Sequence, residues 1–140
     1  MKTALLLCWW LLAIPGPNSD VPQPRYEPAT LIIYRQRDFG GNAYVIRLSG
    51  KEAGSLSPNR YLKVNTPPGR TKLESAKDYL SDNQTIWLTL QPGRTYYVKA
   101  VEEVDFLSRT LLLAPVSDEQ ARQELRRIKP VEIAPPAQNE

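Results

Sequence analysis

Between residues 29 and 116 the chain is cut into short apolar-rich stretches by glycine, proline and asparagine. This cadence constrains the fold more than anything else in the sequence. The stretches are "ATLIIYRQ" (29–36), "AYVIRLS" (43–49), a short run at 53–57, "RYLKVNT" (60–66), "RTKLES" (70–75), "TIWLTL" (85–90), "TYYVKAV" (95–101) and "RTLLLAPV" (109–116). Most alternate apolar and polar residues, as half-buried strands do. Turn signals ("DFGGN", "GKEAG", "SPN", "PPG", "QPG") separate them. Strands at intervals of about 8–12 residues with no helix between them predict an all-β fold: a two-sheet antiparallel β-sandwich of Ig-like or prealbumin-like form with seven to eight strands.

The alternation also assigns faces. Tyr44, Ile46 and Leu48 fall on one side of their strand; Leu62 and Val64 turn inward while Tyr61 and Lys63 turn outward. Ile86, Leu88 and Leu90 share a face, as do Tyr96, Val98 and Ala100. The continuous apolar run 109–116 predicts a central or well-covered strand. One segment has a helical signature. In "SDEQARQELRRIK" (117–129) Ser117 and Gln120 form a capping box, Asp118 and Glu119 suit the positive end of the helix dipole, and Pro130 supplies a stop. Its thin apolar face (Ala121, Leu125, Ile128) predicts a short C-terminal helix at the sheet edge, followed by a flexible tail over 130–140.

The tetrapeptide PGRT occurs twice, at 68–71 and 92–95. Pro-Gly suits the central pair of a type II turn, because proline holds φ near −65° and glycine accepts the positive φ that follows. If strands 85–90 and 95–101 form a hairpin, a shared face requires Leu90 opposite Tyr96, Leu88 opposite Val98 and Ile86 opposite Ala100. That register needs a loop longer than two residues, a bulge, or a crossing between sheets. It would place Trp87 opposite Lys99, with Tyr97 on the diagonal, on the face away from the core. Trp87, Tyr97 and Lys99 are thus the candidate binding patch for a glycan or peptide, and packing beneath the helix or the 75–84 loop is the competing account. Arg70 and Arg94, which leave the two PGRT turns alike, are candidate anion contacts or solvated turn residues.

The first nineteen residues read as a secretory signal: Lys2, then the 11-residue apolar stretch Ala4–Ile14, then Pro15, Gly16 and Pro17. An 11-residue helix reaches about 17 Å, short of the roughly 30 Å hydrocarbon core. Cleavage after Ser19 would release a Pro-rich linker (20–28) and one domain (29–129) into the periplasm or cell envelope. Cys8 is preceded by Leu7 in mid-run, unlike a lipid-attachment cysteine, so membrane contact is expected only through an uncleaved or lipidated leader. Lys+Arg number 18 and Asp+Glu 15, interleaved in sign, which argues against a nucleic-acid partner. The chain has no histidine, and its one cysteine lies in the leader. Histidine-based triads, thiolate nucleophiles and His/Cys metal sites therefore have no residues to build them past the leader. No cofactor or metal is expected. Glu102, Glu103 and Asp105 read as one loop after a strand, not as two carboxylates facing each other across a cleft. Asp78 and Asp82 flank Tyr79 with too few oxygen ligands for calcium, and "NQT" (83–85) matches a glycosylation acceptor.

Four segments come in a familiar order: "ATLIIYR", "GKEAGSL…NRYLKVNTPPGRTKL", "QPGRTYYVKA" and "LLLAPVSDEQARQEL". They resemble a family of small bacterial envelope proteins catalogued as domain of unknown function 2846. The resemblance covers residues 29–126 and rests on strand and turn signatures. It implies a secreted or lipid-anchored sandwich domain and supplies no catalytic residues; the lipid-attachment site of such proteins is missing here. The expectation is a non-enzymatic, envelope-associated binding or structural module whose partner is an envelope protein or glycan. The alternatives are a partner or inhibitor of an envelope enzyme, acting through loop 75–84 or 102–108, and a carbohydrate-active enzyme.

Overall fold

The computed structural model describes residues 25–77 and 84–131. Expectations placed on the leader, the linker up to residue 24, Tyr79 with its flanking aspartates, and residues 132–140 lie outside them. The β-branched and aromatic stretches form β1 (Ala29–Arg35), β2 (Tyr44–Leu48), β3 (Lys51–Leu56), β4 (Arg60–Thr66), β5 (Gly69–Ala76), β6 (Gln84–Leu90), β7 (Thr95–Val104) and β8 (Arg109–Val116). A helix α1 (Asp118–Leu125) and a two-residue strand β9 (Lys129–Pro130) follow. The strands make two sheets, one ordered β8-β7-β1-β4-β9 and the other β3-β2-β5-β6. The all-β sandwich with a short C-terminal helix is thus the fold, with nine strands among the described residues in place of seven to eight.

Alternation of residue type sets the faces as expected. Leu31 and Ile33 of β1, Leu62 of β4, Val98 and Ala100 of β7, and Leu111 and Leu113 of β8 face Tyr44, Ile46, Leu48, Leu56 and Leu73 of the other sheet in one buried core. Ser75 Oγ of β5 donates to the Leu111 carbonyl of β8 at 2.7 Å, and Gln84 Oε1 of β6 accepts from Leu113 N–H, so polar side chains stitch the two sheets along one side.

Four expectations are corrected. The run 109–116 is an edge strand: β8 pairs with β7 alone, and Pro115, which has no N–H to give a ladder, sits within it. β3 begins at Lys51, two residues early, because Ser49 (φ 49) and Gly50 (φ 81) close the β2–β3 hairpin as a tight turn with positive φ at both centres. The helix ends at Leu125, four residues early; the chain then turns, buries Ile128, and runs Lys129–Pro130 alongside Arg60–Tyr61. Pro130 and Val131 are therefore part of the fold, with Val131 N–H donating to the Tyr61 carbonyl at 2.9 Å.

The fourth correction concerns PGRT. β6 and β7 do not form a hairpin; β6 pairs with β5, while β7 pairs with β1 and β8. The second PGRT carries the chain from one sheet to the other, and the first does the same between β4 and β5. At Pro92-Gly93 the type II reading holds: Gly93 has φ 70 and Arg94 N–H donates to the Gln91 carbonyl at 3.4 Å. The crossing was one of the three arrangements that the face pattern allowed. It makes β1 the centre of its sheet, antiparallel to β4 and parallel to β7.

Candidate functional site

The crossing takes the expected patch apart. Trp87 lies in β6 opposite Lys72, whereas Tyr97 and Lys99 lie in β7 of the other sheet. Tyr97 packs in a second apolar cluster with Tyr34, Ala121 and Ile128, beneath the helix. Lys99 Nζ holds Glu124 of the helix at 2.9 Å, and Glu124 also accepts from Tyr34 Oη at 2.8 Å. The helix therefore covers the outer face of the five-stranded sheet at its centre, and does not lie at its edge. Burial raises the Glu124 carboxyl, but hydrogen bonds from Lys99, Gln120 and Tyr34 outweigh it and hold the group below the usual carboxylate range. Burial and the same glutamate push the Tyr34 hydroxyl well above its ordinary value. Trp87 remains 54% exposed, with the Arg70 guanidinium 4.6 Å from its ring. Arg94 stays in its turn, exposed, with its carbonyl accepting from Thr30 N–H at 2.9 Å. Of the five candidate residues, Arg70 and Trp87 come together on one sheet, Tyr97 and Lys99 lie together under the helix on the other, and Arg94 stands apart.

The densest polar constellation lies elsewhere, at the end of the sandwich where β1 finishes. Arg35 is fully buried and spends all five of its N–H donors. Nε and Nη2 fork onto Asp38 at 2.6 and 2.9 Å; Nη1 reaches the carbonyls of Asn42 at 2.6 Å and Leu56 at 3.5 Å; Nη2 also meets Glu102 Oε2 at 2.8 Å. Its guanidinium stands 5.3 Å from the Tyr44 ring centre. The second oxygen of Glu102 accepts from Tyr44 Oη at 3.2 Å and faces Arg109 at 3.6 Å. Burial first, then the Glu102 charge and hydrogen bond, push the Tyr44 hydroxyl up to about 12.

The sequence reading missed this cluster by placing Glu102 in a loop. The signal was present. Val98 and Ala100 point inward, and β7 runs on to Val104, so a period of two puts Glu102 inward as well. The cluster is a brace: it plugs the open end of the core and fastens the β1–β2 connection onto β7. Gly40 of that connection lies so close to Glu102 that a Cβ there would overlap the carboxylate. Among the described residues no group of three or more His, Cys, Asp or Glu side chains is placed to hold a metal ion, and no helix is long and apolar enough to cross a membrane.

On this brace stand exposed apolar side chains. β7 continues past Ala100, the partner of Arg35, through Val104, and β8 returns at Arg109. At about 3.3 Å per residue the β7–β8 hairpin projects on the order of 13 Å beyond the end of β1. Phe106 and Leu107 at its tip are 97% and 93% exposed, Val104 is exposed beside them, and Phe39 of the braced β1–β2 connection is fully exposed. The tip is itself held: Asp105 N–H donates to the Ser108 carbonyl at 2.9 Å, and the Asp105 carboxylate accepts from Phe106 N–H at 2.6 Å.

A scan against protein-family models finds no match, and a search of curated proteins finds no significant relative.

Proposed function

We propose that the chain is a non-enzymatic, envelope-associated binding module, delivered by the leader, that docks through the braced end of its sandwich. One observation carries this reading: Phe39, Phe106 and Leu107 stand in solvent on two connections anchored to the buried Arg35–Glu102 pair. Several large apolar side chains held in solvent at one end of a fold point to an interaction site, and a rigid base keeps the cost of ordering them on binding low. The resemblance of the strand and turn segments to secreted and lipid-anchored sandwich proteins supports the same reading. Trp87 and Arg70, on the outer face of the other sheet, are a minor surface in it.

The projection of residues 102–108 favours a second form of the idea, in which the hairpin enters a groove of an envelope enzyme and blocks it. The test is site-specific photocrosslinking of the full chain, expressed with its own leader. A benzophenone side chain at Phe106 is expected to give adducts that the same group at Arg94, at the opposite end of the sandwich, does not. Equal yields from both positions would remove the docking end from consideration.

A further inference from the structure

The docking reading leaves the partner open, and the charges around the tip bear on it. The residue before Asp38 is Arg37, and it lines an open groove of about 630 Å³ together with Arg126, Arg127, Gln36, Asn59, Gln123 and Glu124, whose charge is met by Lys99. β9 pairs with the start of β4, and the start of β4 pairs with the end of β1, so this groove belongs to the braced end. Among the described residues, Arg37, Arg60, Arg126, Arg127 and Lys129 at this end make no ion pair. Among the described residues, Glu103 and Asp105 are the acidic ones there without an ion pair, and Asp105 is turned onto the backbone of its own hairpin. Among the described residues without an ion pair, five cations against two anions leave 5 − 2 = +3 at a surface that also carries Phe39, Phe106 and Leu107.

We propose, building on that reading, that this end docks on an anionic phospholipid surface: Phe39, Phe106 and Leu107 enter the interface, and Arg37, Arg126 and Arg127 pair with headgroup phosphates. Two properties favour lipid over a folded partner. The apolar side chains are separate knobs on projecting connections, not one face, and a fluid interface closes around knobs without a matching pocket. Four of the five neighbouring cations are arginines, whose planar donors suit phosphate oxygens. Peripheral membrane proteins combine the same two elements, buried apolar area and attraction to anionic headgroups. This contact is separate from any made by the leader, through which alone the sequence anticipated membrane contact.

The test is co-sedimentation of the full chain with phosphatidylcholine vesicles, with and without about 30 mol % phosphatidylglycerol. The leader contributes a background common to every variant. Serine at Phe39, Phe106 and Leu107 together is expected to lower partitioning onto the anionic vesicles at least tenfold. Arg126→Gln/Arg127→Gln is expected to remove most of the dependence on phosphatidylglycerol and on salt. Folding of each variant is checked by circular dichroism, and the exposed positions concerned leave the core intact. Partitioning that ignores both sets of substitutions overturns the lipid assignment. If Phe106 adducts to a protein persist in that case, the docking module stands without lipid; if they are absent too, both readings fall.

Discussion

Arg35 and Glu102 come from strands 67 positions apart and meet at 2.8 Å, with side chains 0% and 2% exposed. Removing one partner from such a pair strands the other charge in the core, which costs about 3–5 kcal/mol. Arg35→Met is therefore expected to lower the free energy of unfolding by that amount in urea titration. Arg35→Met combined with Glu102→Met should recover a large part of the loss, because neither charge then remains.

Alkaline stability follows from Tyr44. Its hydroxyl is held at about 12, against an ordinary value of 10.0, so the folded chain keeps a proton that the unfolded chain gives up. The stabilisation is complete below pH 10.0 and is lost as the pH rises toward about 12. Urea midpoints measured across that window should fall, and Tyr44→Phe should flatten the decline.

Glu124 works in the opposite direction. Its folded pKa lies below the usual carboxylate range, so its contribution is present above the unfolded value and is lost as the pH falls through the folded one. Glu124→Gln should remove this acid-dependent part of stability and loosen α1, seen as faster amide exchange at Ala121.

Two adjacent glycines should respond differently to substitution. Gly40→Ala drives a methyl group into the pinned Glu102 carboxylate, and overpacking of this kind costs about 1–3 kcal/mol. Gly41 has φ +69 and open space around it, so Gly41→Ala costs only the left-handed backbone, about 1–2 kcal/mol. Gly41→Asn should be milder than Gly41→Ala, since asparagine tolerates that conformation, whereas Gly40→Asn should be worse than Gly40→Ala. Thermal melts of the four variants read the order directly.

Trp87 offers an optical check on its own surroundings. Half-exposed beneath the Arg70 guanidinium, it should be quenched by iodide, read as the difference from the Trp87→Phe chain. Arg70→Ala should change that quenching while shifting stability by no more than about 1 kcal/mol, the worth of an exposed cation–π contact.

The strand faces were legible in the sequence because the period of two is written in residue type. Tyr44, Ile46 and Leu48 turn inward as read, and so do Leu62, Ile86 and Val98. Neighbours were not legible. The pattern Ile86-Leu88-Leu90 fits pairing with β7 or with β5 equally well, and only the crossing at Gln91–Arg94 decides it. That choice dissolved the Trp87–Tyr97–Lys99 patch. The run at 109–116 misled because three leucines in a row hide which of them is covered; Pro115 was the sign of an edge. The helix was overextended because Arg126–Ile128 keep helical composition while the chain turns to bury Ile128. Arg35 and Glu102 were passed over because charged residues at strand ends ordinarily face water, and nothing local shows that two such ends meet.

The parallel pairing of β1 with β7 sets an order of assembly. β1 is the first strand to be made, yet its neighbour Thr95 lies 95 − 30 = 65 residues after Thr30. Local hairpins such as β2–β3 and β7–β8 can close early, but the centre of the larger sheet waits until most of the chain is present. Contacts of such separation slow folding. β1, with its apolar run Leu31–Ile33, can pair on one edge once β4 is made, while its other edge stays open until β7 arrives.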